Sequence, residues 1–103
     1  MKKVGLVGGI GPESTISYYH DIVYGVQKRV GRDFFPDMSI ESIDLFKWVE
    51  LCDQKRYDEL VDFTLAPIQR LAASGADFAV LTANTAHLIF DQVQARSPIP
   101  LIS

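Results

Sequence analysis

Two short apolar runs, each emptying into small polar residues just before a helix-like stretch, restrict the fold of this chain more than anything else in it. Val4-Gly5-Leu6-Val7 leads into Gly8-Gly9-Ile10-Gly11-Pro12-Glu13-Ser14-Thr15, and Phe78-Ala79-Val80-Leu81 leads into Thr82-Ala83-Asn84-Thr85-Ala86-His87, ahead of a helix-like stretch from Leu88 to Arg96. The first run is apolar on both faces, as expected of a parallel strand covered by helices. A strand that ends in small polar residues at the start of a helix places hydroxyls, an amide and free backbone N–H groups in one crevice, where an open α/β sheet holds its ligand. If the two strands are neighbours, both turns face the same pocket.

The segments between these runs continue the alternation. Pro12 suits the first helical position, where its missing N–H costs nothing, and Glu13 favours the positive end of the helix dipole. Ile16, Tyr19, Ile22, Val23, Val26 and Val30 follow at helical spacing as one apolar stripe, and Gly31 stops the helix. Met38-Ser39-Ile40-Glu41-Ser42-Ile43 alternates apolar and polar, the period of a strand with one face packed and the other wetter, and it suits a sheet edge. A short helix is expected over Leu45 to Leu51. A longer one is expected from about Arg56 to Ala73, with Tyr57, Leu60, Val61, Thr64, Leu65, Ile68, Leu71 and Ala72 inside and a bend or a new helical start near Pro67. Gly75 is its C-terminal cap, and Leu101-Ile102-Ser103 reads as the opening of a fourth strand. The order β-α-β-α-β-α-β predicts an α/β fold, a parallel sheet flanked by helices on both faces and joined by right-handed crossovers. A pattern cut off within a strand suggests a fragment rather than a natural half-domain.

Composition narrows the function classes. The 103 residues, 48% hydrophobic and 22% charged, suit one globular domain. A formal net charge of −3 offers no basic field for nucleic acid. Lys2-Lys3 and Lys28-Arg29 read as solvated ends of elements. No apolar run approaches the about 20 residues of a membrane span and no signal-peptide core is present, so no membrane association and a cytoplasmic location are expected. Cys52 is the single cysteine and, beside Trp48, Val49 and Leu51, reads as a small buried or half-buried thiol.

The glycine-rich turn could cradle a phosphate. Gly9 and Gly11 match two glycines of a dinucleotide fingerprint, but Ser14 stands where the third belongs, and Asp44 comes too late for the acidic residue that reads a ribose. A Gly-Lys-Ser/Thr is absent, which rules out a P-loop. His20 and His87 are far apart and no Cys or carboxylate is spaced around either as a ligand set, so no metal site is expected. His20 reads as a surface or helix-packing residue. His87 begins a helix beside the pocket, where capping a backbone carbonyl and direct catalysis are both open.

Val4 to Thr15 resembles the N-terminal signature of the aspartate/glutamate racemase family, and Asn84-Thr85-Ala86-His87 resembles its Cys-Asn-Thr-x-His motif. The resemblance covers the whole chain but only the first of the family's two pseudo-symmetric halves. It implies that residues 1–103 are the N-terminal α/β lobe of a two-lobe racemase fold, with the second, C-terminal lobe missing. It further implies an isomerase of amino-acid metabolism that needs no cofactor, pyridoxal phosphate included. In such an enzyme two groups, usually thiols, stand on opposite faces of the α-carbon of an acidic amino acid; one removes the α-proton and the other supplies a proton to the far side. By the same resemblance Asn84 and Thr85 hold the carboxylate, with His87 alongside, and the turn through Gly9, Gly11, Ser14 and Thr15 lines the other side. Ser14 and Thr15 are equally well read as ordinary first-turn helix residues.

The departures weigh as much as the match. Ala83 occupies the slot of the family's first acid/base, and a methyl group cannot move a proton. Thr82 lies one residue earlier, and neighbouring side chains on a strand point to opposite faces, so it replaces a group at 83 only if the turn breaks that alternation, which keeps Thr82 and Thr85 as candidates. The second acid/base belongs to the half that is not here. Three explanations of Ala83 stay open: an engineered inactivating change, a natural one-base variant, or a homologue that binds an acidic amino acid without racemising it. A degenerate module of the same fold that binds a carboxylate without chemistry is therefore the second reading. Family members are commonly dimers, which makes a homodimer the expected assembly of the full-length form.

Overall fold

The computed structural model describes residues 2–9, 12–82 and 89–102. Its elements run β1 (Val4–Gly8), α1 (Pro12–Val30), β2 (Met38–Ser42), α2 (Leu45–Asp53), α3 (Tyr57–Ala73), β3 (Phe78–Leu81), α4 (Phe90–Arg96) and β4 (Leu101–Ile102). The strands form one sheet in the order β2-β1-β3-β4, with all three pairings parallel. The two apolar runs that lead into the small polar turns are neighbours: Val4 pairs with Phe78 and Val7 with Leu81.

The faces of the sheet are unequal. A side chain at Gly5 would point at Leu71 and Ala76, so the face of Gly5 and Val7 looks toward α3. On that face Val7, Ala79, Leu81 and Leu101 join Trp48 and Leu51 of α2, Leu60, Leu65, Ile68 and Leu71 of α3, and Val93 of α4 in one buried core. A side chain at Gly8 would meet Thr15, so α1 lies over the opposite face, that of Val4, Leu6 and Gly8. This division follows from the winding. The chain steps one way from β1 to β2 and the other way from β2 through β4, and right-handed crossovers then put α1 on one face and the later helices on the other.

Two expectations change as a result. The apolar stripe of α1 is mostly open: Val23 is buried, Ile22 and Val26 are half-buried, while Ile16, Tyr19 and Val30 are exposed at 68%, 47% and 54%. Among the described residues α1 is the only helix on its face, and it covers the sheet without being covered in turn. β2 is an edge strand as expected, but the side facing the three-helix layer is its polar one. Glu41 is half-buried and reaches Arg70 Nε of α3 at 3.1 Å, Ser74 Oγ donates to Ser39 Oγ at 3.3 Å, and Ile40 is 42% exposed.

α3 carries the predicted inner residues; Leu60, Val61, Thr64, Leu65, Ile68 and Leu71 are buried, Ala72 is half-buried and Tyr57 lies at the exposed first turn. It also runs through Pro67 without restarting. Proline removes one backbone donor, but Pro67 is itself buried, and the packed stripe on either side of it offsets a penalty of about 3 kcal/mol. Gly75, at φ 93°, closes the helix: its N–H donates to Ala72 O and the Ala76 N–H to Leu71 O, both at 3.0 Å. These bonds satisfy carbonyls the helix leaves open, and Leu71 and Ala76 pack as the accompanying apolar contact. Asp44 accepts the Phe46 N–H at 2.9 Å and so caps α2, the role behind an acidic residue that no ribose site explains. Cys52 is half-buried against the core, as expected. No helix among the described residues is long and apolar enough to cross a membrane.

Among the described residues the core cluster around α3 holds one polar side-chain pair. Trp48 Nε1 donates to Thr64 Oγ1 at 3.3 Å, and that hydroxyl donates to Leu60 O at 2.8 Å. Thr64→Val keeps the shape but leaves the indole N–H without an acceptor, so urea unfolding is expected to show a loss of about 1–2 kcal/mol.

Candidate active site

In the order β2-β1-β3-β4 the winding direction reverses between β1 and β3. α1, which follows β1, lies on one face and α4, which follows β3, on the other, so the C-terminal ends of these two strands are the candidate crevice, the ligand position of this sheet type. The two candidate motifs follow these two strands.

The described part of the crevice is built on backbone and hydroxyls. Gly9 takes φ 87°, a left-handed conformation that favours glycine. Its N–H donates to Thr15 Oγ1 at 3.0 Å, so a hydroxyl from the first turn of α1 reaches back and holds the turn that precedes it. Gly8 leaves room for this: a Cβ there would lie 2.5 Å from Thr15 Cγ2. On the other side, the Ile43 N–H donates to Gly8 O at 2.9 Å, which ties the exit of β2 to the exit of β1. Thr82 is buried; its Oγ1 donates to Val7 O at 3.0 Å, and its backbone N–H approaches the same oxygen at 3.4 Å.

These positions sort the candidates. Gly9 and Thr15 belong to one hydrogen-bonded turn beside the crevice. Ser14 is exposed and lies with Glu13, Ser17, Tyr18 and Asp21 along a shallow depression of α1. Thr82 sits at the crevice wall with its proton engaged by Val7, which ties β3 to β1. Gly11, Ala83, Asn84, Thr85 and His87 lie outside the described residues. His20 is exposed on α1, 4.8 Å from the ring of Tyr24 and away from the strand ends, as its reading as a surface residue requires. Ser42 and Ile43 enter the crevice although the sequence reading placed them only within an alternating strand. Their signal is the same one that marked the other two turns, a strand closing on a small polar residue just ahead of a helix start.

A family model for the Asp/Glu/hydantoin racemases matches residues 7–103. The chain belongs to that racemase family. It is 26% identical over 102 residues to the broad-specificity amino-acid racemase RacX of Bacillus subtilis, a match covering 96% of this chain and 44% of that protein. Among solved structures it superimposes on a candidate Asp/Glu racemase from Yersinia pestis with a TM-score of 0.93 at 29% identity, covering 98% of this chain and 44% of that one. An aspartate racemase homologue from Pyrococcus horikoshii gives 0.85 at 30% identity over 100% of this chain and 45% of the other. The chain thus spans less than half the length of these racemase relatives, a coverage consistent with one half of their fold.

Proposed function

We propose that this chain is the first lobe of an amino-acid racemase that inverts aspartate or glutamate by two-base proton transfer without a cofactor. The observation that carries the reading is the parallel pairing of β1 with β3, which sets the exit of the glycine-rich strand beside the strand leading to Asn84-Thr85-Ala86-His87, in a chain whose racemase match runs from residue 7 to 103.

The chemistry sets what such a site must do. The α-proton of an amino acid is weakly acidic, and its removal pushes negative charge into the α-carboxylate. Donors aimed at the carboxylate oxygens lower that barrier, because they bind the charged intermediate more strongly than the ground state. In this reading Asn84 and Thr85 donate to the carboxylate, with His87 beside them, and the turn from Gly9 to Thr15 bounds the opposite side. A base on one face takes the α-proton as an acid on the other delivers a different proton, so one C–H bond breaks and another forms with inversion. The second base, and the partner of the substrate's side-chain carboxylate, belong to the second lobe. Full-length protein is expected as a homodimer in the cytoplasm.

Ala83 favours a second reading, a lobe that binds the carboxylate of an acidic amino acid without moving a proton, since the slot of the first acid/base carries only a methyl group. Even under the first reading, Ala83→Cys in the 103-residue chain is expected to show no racemisation, because one base cannot serve both faces; D-aspartate formed from L-aspartate, read by chiral chromatography, would contradict it. The lobe assignment is tested by the intact mass of the polypeptide as its cell makes it. A mass about twice the 11.5 kDa of this chain supports it, and a mass of 11.5 kDa would oppose it.

A further inference from the structure

Three successive residues at the exit of β1 are each held by a different element. The Val7 carbonyl accepts the Thr82 hydroxyl proton at 3.0 Å, from the residue that follows β3. The Gly8 carbonyl accepts the Ile43 N–H at 2.9 Å, from the residue that follows β2. The Gly9 N–H donates to Thr15 Oγ1 at 3.0 Å, in the first turn of α1. The contact from β3 is the one made by a buried side chain.

Among the described residues Thr64 and Thr82 are the buried polar side chains. Thr64 answers to the core, where its hydroxyl receives the Trp48 N–H. Thr82 answers to a backbone carbonyl, that of Val7, which its own N–H approaches only at 3.4 Å. The shorter of these two contacts is the hydroxyl's, and it falls one residue past Val7 and Leu81, the last paired residues of the β1–β3 ladder. Valine has nearly the same shape, so filling space asks for no hydroxyl here. What the hydroxyl adds is a bond that fixes how far apart the ends of β1 and β3 stand. A proton committed to a carbonyl is also poorly placed to pass to a substrate.

We propose that Thr82 is a positioning residue: its hydroxyl, bonded to Val7 O, sets the spacing of the β1 and β3 exits and thereby the place of Gly9 against a bound amino-acid carboxylate. The proposal rests on the racemase-lobe reading and takes Thr82 out of the proton-transfer steps. A binding constellation works only when its supporting contacts hold it within about 0.5 Å of the productive geometry, so a hydroxyl that never touches the ligand governs affinity.

The full-length polypeptide as its cell makes it, titrated by calorimetry with L-aspartate and with L-glutamate beside urea unfolding of the same proteins, tests this role. Thr82→Val is expected to stay folded and to weaken binding about tenfold, the scale on which displaced binding groups lose their ligand. Thr82→Ser keeps the donor and is expected to remain within about threefold of the parent. Thr64→Val removes the other buried hydroxyl, in the core of α2 and α3, and is expected to lower stability with affinity unchanged. Parent-like affinity in Thr82→Val, or matched weakening by Thr82→Val and Thr64→Val, would make Thr82 a contributor to stability alone and overturn the proposal. Failure of Thr82→Val to fold would do the same. Equal weakening by Thr82→Val and Thr82→Ser would assign the effect to shape rather than to the hydrogen bond, which also overturns it. In each of these cases the parent still binds and the lobe reading stands. Binding of neither amino acid by the parent overturns both.

Discussion

Gly9→Ala is expected to destabilise the chain by about 3 kcal/mol, a large share of what a domain this size commands. Two penalties combine. The φ of 87° is a conformation in which an L-residue stores roughly 1–3 kcal/mol. The added Cβ would also lie 2.6 Å from Ser42 Oγ and closer still to the Ile43 carbonyl oxygen. The serine can rotate away, but the carbonyl is backbone, so relief requires pulling apart the exits of β1 and β2 that the Ile43–Gly8 bond joins. Urea denaturation measures the effect, and Gly25→Ala is the internal control. Gly25 lies within α1 and a Cβ there meets nothing within 4 Å. That variant is expected to gain about 0.5–1 kcal/mol through helix propensity. Equal stability of Gly9→Ala and the parent chain would mean that the turn does not have the tight geometry described.

Ile68→Ala is expected to cost about 3–4 kcal/mol. Ile68 is fully buried one residue past Pro67, in the core that joins α3 to the sheet and to α2 and α4. Truncation removes its transfer free energy and leaves a cavity that neighbours in regular elements cannot close, which places such changes in the range of about 2–5 kcal/mol. In a domain of about 100 residues each kcal/mol shifts Tm by roughly 4–8 °C, so the melting temperature is expected to fall by more than about 12 °C. Ile16→Ala, at a site 68% exposed on the opposite layer, is expected to change stability by less than about 0.5 kcal/mol. Similar losses from the two variants would contradict the contrast between a packed inner stripe on α3 and an open stripe on α1.

The uneven covering of the two faces marks where the sequence stops being informative. Element order, the edge position of β2, the cap at Gly75 and the adjacency of the two motif strands all follow from local pattern and crossover handedness. Periodicity identifies an apolar face, but it does not say what covers it. The stripe through Ile16, Tyr19 and Val30 is as regular as that of α3 and is largely open, because among the described residues only one helix lies on its side of the sheet. The alternation in β2 marks a strand, yet the turn of the chain puts Glu41 rather than Ile40 toward α3. Pro67 shows the opposite limit, a local breaker overridden by buried neighbours.

The candidate site was legible as two turns and not as a set of bonds. Gly9 and Thr15 stood out by residue type, but the reach of the Thr15 hydroxyl back to the Gly9 N–H depends on how α1 starts. Thr82 stood out as a hydroxyl near an empty acid/base slot, and its bond across the strands to Val7 is a tertiary fact. Ser42 needed the register between β1 and β2 before it joined the others.

The central claim, a lobe of an enzyme that exchanges the α-proton of an acidic amino acid, is tested most directly in deuterated water. The full-length polypeptide as its cell makes it is incubated with L-aspartate or L-glutamate, and the amino acid is analysed by mass. The account predicts one deuterium at the α-carbon, accompanied by the D-enantiomer. Recovery of unlabelled substrate would contradict it and leave a lobe that binds a carboxylate and goes no further.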